Sequence, residues 1–101
     1  MQELASQLTD CAAFLERYGV HPHWCSMLLG FAVRLRDGDV GAAAELRKQF
    51  GGMGSFNDIL IHPHNGHRLN EGEINVVNGR LDEMRHQIFE SCTALARGRT
   101  A

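Results

Sequence analysis

The chain has one lysine, Lys48, and its ten basic residues are outnumbered by twelve acids, for a formal net charge of -2. Affinity for nucleic acid rests mainly on neutralising phosphates with cations, so this balance disfavours DNA or RNA as a partner. No apolar run is long enough to span a bilayer. The opening MQELASQLTD has an acid at position 3 and no uninterrupted apolar stretch, which fits neither a signal peptide nor an anchor. A cytoplasmic location without membrane contact is expected. The three cysteines, Cys11, Cys25 and Cys92, are odd in number and far apart, which suits neither a disulfide framework nor a CxxC metal site. Reduced thiols are expected. No repeat, low-complexity stretch or linker divides the chain, and 101 residues can bury one core but not two. The composition, 44% hydrophobic and 22% charged, is that of a chain that folds.

Hydrophobic spacing carries most of the structural information. Leu4, Leu8, Cys11, Leu15 and Tyr18 step by four and three, which predicts a first helix over about 3–18, ended by Gly19. Pro22 suits the first turn of a second helix over 22–37, with Trp24, Met27, Leu28, Phe31, Ala32 and Leu35 covering an arc wide enough to make it the most enclosed element. Gly38 breaks that helix. Asp39 is a natural N-cap for a third over 39–50 carrying Val40, Ala43, Leu46 and Phe50. Asn70 and Glu73 resemble a capping box before a fourth helix over 71–97, on which Ile74, Val77, Leu81, Met84, Ile88, Cys92 and Leu95 keep a strict alternation of three and four. At 1.5 Å per residue this helix would be roughly 40 Å long.

The segment 51–70 lacks helical periodicity and is expected to be loop or strand. Asn65-Gly66 is a strong hairpin signal, so 59–62 and 67–69 are expected to pair as a short hairpin pinned on the helices, with Pro63 on an edge. The expected fold is therefore mainly α, a four-helix bundle-like single domain with a short β-hairpin or extended loop between helices three and four.

Several constellations invite chemistry and are weighed against plain structure. His-Pro-His occurs twice, and HPHNGH adds a third imidazole, so His62, His64 and His67 could ligate a metal. Their ordinary reading is exposed turn histidines, because no cysteine or HExxH stands nearby. Glu83-Met84-Arg85-His86 has the Glu-x-x-His spacing of di-iron bundles, but Glu83, His86 and Glu90 fall about 180° from the apolar stripe and face water. Gly51, Gly52 and Gly54 could form an anion nest, yet they follow a helix and lack GK[ST], so a tight helix exit is expected. Cys11 and Cys92 sit mid-stripe as packing thiols, and Cys25 near His21 and His23 borders Trp24. Ser55, Asp58 and a nearby histidine name the parts of a triad without its strand-to-helix elbow. No catalytic residue, metal site or cofactor is expected.

GGMGSFNDILI, the NGH after it and the helix beginning NEGEINVVNGRLDEM resemble a group of small bacterial proteins of unknown function, over about 24–95, with the GGMGSxND segment as the distinctive part. The resemblance implies a bacterial origin and a helical fold with a hairpin, and it brings no activity, substrate or site residue.

The expected function is a non-enzymatic protein-interaction module, an accessory or immunity-type protein. Its partner protein would meet loop residues Ser55, Phe56, Asn57 and Asp58 and the acids Glu71, Glu73, Asp82, Glu83 and Glu90 of the last helix. Phe56 decides the loop's role: exposed, it marks a recognition surface; buried, it is an anchor. A metal or ligand binder using His62, His64 and His67 is the alternative, and a homodimer through the fourth helix is a third arrangement.

Overall fold

Leu4, Leu8, Cys11 and Leu15 are fully buried on one side of helix α1, Gln2–Arg17, joined by Ala5 and Ala12. Complete burial of each leucine is worth about 1.5–3 kcal/mol, so this stripe is a principal source of stability. The computed structural model describes residues 2–51 and 54–98, and among them four α-helices and three short 3₁₀ turns account for the regular structure. Gly52 of the expected glycine nest and Met53 of the GGMGSxND segment lie outside the described residues.

Gly19 ends α1 with φ +71°, and the chain reverses there: Gly19 N–H donates to Glu16 O at 3.0 Å and Val20 N–H to Leu15 O at 3.1 Å. This pairing satisfies the last carbonyls of the helix and buries Val20 against it. Helix α2, Pro22–Arg36, then packs along α1 as its antiparallel partner. It ends in the same way at Gly38, φ +84°, with Gly38 N–H on Leu35 O and Asp39 N–H on Arg34 O.

Helix α2 is not the most enclosed element. Only Leu28, Ala32 and Leu35 are buried on it, because α1 covers one side and α3 touches it lightly, leaving Leu29 and Val33 open.

The third helix is shorter than expected. The Asp39 carboxylate accepts the Gly41 N–H at 3.0 Å and its carbonyl accepts Ala42 N–H, forming a turn that delays α3 to Ala42–Lys48. Val40 consequently projects from that turn at 86% exposure instead of joining Ala43, Leu46 and Phe50 inside. Arg34 fixes the corner, its Nε donating to Asp39 at 2.7 Å and its Nη1 pairing with Glu45. That hydrogen bond, followed by the one from Gly41, holds the Asp39 carboxyl below its usual range.

Helix α4, Ile74–Ala96, lies against α1 and α3. A 3₁₀ turn at Glu71–Glu73 precedes it, and the expected capping box forms, with Asn70 N–H donating to Glu73 Oε1 at 3.1 Å. Val77, Leu81, Ile88 and Cys92 are buried as their spacing requires. Burial pushes the Cys11 thiol up to about 12 and the Cys92 thiol up to about 11. Both thiols are packing groups.

No strand occurs among the described residues, so the hairpin expected at 59–62 and 67–69 does not form. Only Gly66 of the Asn65-Gly66 pair takes positive φ, +80°, whereas a type I′ turn needs both. Asn65 instead closes a 3₁₀ turn, Pro63–Asn65, and its side chain donates to Leu60 O at 3.1 Å. The two expected strand segments tie to the helices instead of to each other: Ile61 N–H and O both bond the Asn78 carboxamide of α4, at 2.9 and 2.8 Å, while 67–69 bends, with Leu69 N–H on His67 O, and Arg68 N–H donates to Tyr18 O at 2.7 Å.

Candidate functional site

The loop after α3 is built inside out. Phe56, within a 3₁₀ turn at Phe56–Asp58, has 0% exposure and packs between Trp24 and Phe50, with ring centroids 5.8 and 5.3 Å away. It is the largest fully buried side chain, an anchor that cannot face a partner. This corrects its placement among the partner-meeting residues; an aromatic ring beside an aromatic cluster is held by area that water cannot match. The Ser55 hydroxyl is also buried, without a hydrogen-bond partner among the described residues. Asn57 and Asp58 are exposed. Asn57 Nδ2 donates to Phe50 O at 2.9 Å and the Asp58 carboxylate accepts the Gly54 N–H, so both side chains also brace the turn from outside.

Sequence reasoning missed the residue that organises this loop. Arg85 lies four residues after Leu81 and three before Ile88, on the apolar stripe of α4, and is 8% exposed. Its Nη1 donates to Phe56 O at 3.0 Å and to Ile59 O at 3.1 Å, while Nη2 pairs with the carboxylate of Asp82. A buried charge persists only when paired and hydrogen-bonded. The spacing itself was the available signal, since a residue at that register on a packed helix points inward whatever its charge.

Around Arg85 a cleft of about 470 Å³ opens between the end of α3, the loop and α4. Phe50 and Phe89 form an edge-to-face pair at 5.3 Å on one wall, and the Arg47 guanidinium lies 5.6 Å from the Phe89 centroid. Asn57, Asp82 and His86 supply polar groups at the rim. The cleft therefore offers aromatic surface beside two guanidinium groups and one carboxylate. A second groove, about 530 Å³ between α1 and α4, has Phe14, Tyr18, Val76 and Met84 on its walls and none of the four loop residues.

The other expected features fall as follows. Glu83 and Glu90 face outward on α4, paired with Arg80 at 3.3 Å and His86 at 3.6 Å. The outward face of α4 is thus mostly polar, with Val76 its exposed large apolar residue among the described residues. Cys25 is half-buried and its thiol donates to Ala12 O at 3.3 Å; burial, and then Glu16, raises it above the ordinary thiol range. Such a thiol is a poor nucleophile. Among the described residues no three His, Cys, Asp or Glu side chains are placed to hold a metal ion. His62 and His67 instead accept backbone N–H groups through Nδ1. No helix of the described residues is long and apolar enough to cross a membrane.

Residues 20–70 match the family model of a domain of unknown function (DUF6966). The matched span runs from the α1–α2 turn to the cap of α4, so it holds the loop side of the cleft and not Arg85. No curated protein and no solved structure matches the chain.

Proposed function

We propose that this chain, which belongs to the DUF6966 family, is a non-enzymatic protein-interaction module of the accessory or immunity type, docking its partner in the cleft between the 54–58 loop and α4. The observation that carries this reading is the Arg85 tether, which clamps two loop carbonyls and holds one wall of the cleft in place before any partner arrives. A preset surface loses less freedom on association than a mobile one, which favours binding. Arginine beside an aromatic ring is also a combination enriched where interfaces draw their affinity. The exposed Arg47 over Phe89 suits a partner segment that brings a carboxylate next to an apolar side chain.

Affinity capture from lysate of the native cell, with the unaltered chain beside Arg47→Glu and Asn57→Arg, tests the reading. Both positions are exposed, and the Asn57–Phe50 hydrogen bond that the second variant gives up lies in the loop, so both variants should keep the helical circular dichroism of the parent. A stoichiometric protein held by the parent and lost from both variants is the expected result. A protein retained equally by all three would place the interface elsewhere and end the proposal for this cleft.

A further inference from the structure

His-Pro-His stands at 21–23 and again at 62–64, and both copies make the same side-chain cap, one at an α-helix and one at a 3₁₀ turn. In each, Nδ1 of the first imidazole accepts the backbone N–H two residues on, His21 from His23 at 3.1 Å and His62 from His64 at 3.0 Å. Proline takes the first helical position, where a missing N–H costs nothing, so the histidine stands where Ser, Thr, Asp or Asn usually caps. His67 continues the chain of contacts by accepting the His62 N–H through its own Nδ1 at 3.0 Å. The two motifs share one end of the molecule. Arg68 N–H reaches Tyr18 O at 2.7 Å, and the Arg68 side chain lies across Gly19, with Nε 3.2 Å from where a Cβ would sit.

A neutral imidazole keeps one nitrogen that can accept a hydrogen bond; an imidazolium keeps none. We infer that His21, His62 and His67 form an acid-released latch, in which neutral rings hold the start of α2 and the 62–68 segment and protonated rings let both go. Each protonation turns an acceptor facing an N–H into a donor facing a donor.

The surroundings reinforce the change. His62 meets His64 at a centroid distance of 4.6 Å as well as His67, and His21 meets His23 at 6.5 Å. Charges gained on these rings repel one another. Arg68 lies in the segment itself, Glu16 and Arg17 close α1 beside it, and α4 contributes the uncharged Asn78. Burial, and then the charge on His62, holds His67 below the ordinary histidine range. Its folded value lies under the unfolded one, so the stability it contributes is complete above about pH 6.5 and is lost as pH falls through the folded value. Residues 54–61 hang instead on the Arg85 guanidinium and the Asn78 carboxamide, groups with no proton to exchange near neutrality. The release is therefore local.

Nitrogen-15 NMR and amide exchange on the full chain test the latch. At pH 7.5 the rings of His21, His62 and His67 should show the Nε2–H tautomer. Between pH 7.5 and 5.0 the amides of His23, His62 and His64 should each lose about five-fold in protection beyond the intrinsic pH effect, the size of one lost cap. Amides inside α1 and α4 should hold. The variant His21→Asn/His62→Asn/His67→Asn offers carboxamide acceptors that do not titrate, and should show no such local loss. An Nδ1–H tautomer on these rings, a loss spread through α1 and α4, or the same local loss in the variant would overturn the inference. If the variant fails to fold, the tautomers and the exchange pattern of the unaltered chain decide.

Discussion

Replacing Arg85 by methionine keeps an unbranched apolar stem and removes the guanidinium with all its donors, so it tests the tether. Two carbonyls, Phe56 O and Ile59 O, lose their partners at 3.0 and 3.1 Å. Each orphaned buried acceptor costs about 1–3 kcal/mol. The pair with Asp82 adds little, because that carboxylate is 70% exposed and such pairs are worth about 0.2–1 kcal/mol. Offsetting part of this, a methionine removes the desolvated charge. The net expectation is a loss of about 3 kcal/mol, a large share of the roughly 5–15 kcal/mol available to a domain. Urea unfolding followed by circular dichroism should show the midpoint fall at unchanged slope, with the melting temperature roughly 10–20 °C lower. Asp82→Asn, measured alongside, should cost under about 1 kcal/mol. A methionine variant within about 1 kcal/mol of the parent would refute the reasoning, since the loop would then not depend on the guanidinium.

Phe56→Ala should cost about 3–5 kcal/mol and broaden tertiary NMR signals throughout the Trp24–Phe50 cluster, because the ring is an anchor and not a contact surface. Asn78→Ala should cost about 2 kcal/mol and raise amide exchange chiefly at Ile61, whose N–H it leaves unpaired. Titration with an aromatic disulfide reagent should modify Cys25 first and leave Cys11 and Cys92 unreacted until the fold opens. Because burial raises those two thiols above the model-peptide value of 9.0 to about 12 and about 11, their contribution to stability is full below pH 9 and falls as pH rises toward those values; alkaline melts should record the decline. Val40→Thr should change stability by less than about 0.5 kcal/mol, as expected of a side chain in solvent.

The elements that periodicity and glycine specify are legible in the sequence. The stripes of α1 and α4, the reversals at Gly19 and Gly38 and the Asn70–Glu73 box each follow from local rules that the tertiary fold obeys. Where two local rules compete, the residue types alone did not decide. Asp39 can cap a helix or close a turn onto Gly41, and here it closes the turn, held at the corner by Arg34. Asn65-Gly66 can close a hairpin or a 3₁₀ turn, and the helix-borne Asn78 takes the Ile61 hydrogen bonds that a strand partner would have used. Arg85 was hidden by its chemistry, because a charged residue on a helix is ordinarily read as solvated, although its register places it among Leu81 and Ile88. The paired histidine caps were hidden in a similar way, since imidazole is seldom the side chain that begins a helix.

The tether has a mechanical corollary. The loop leaves α3 in sequence but is fastened by a guanidinium rooted in a different helix, so any displacement of the Phe56 or Ile59 carbonyl loads the Arg85 stem. Asp82 and His86 stand on the turn that carries that stem and would feel the torque directly. The loop and the longest rod of the molecule are thereby joined through one side chain as well as through the chain between them.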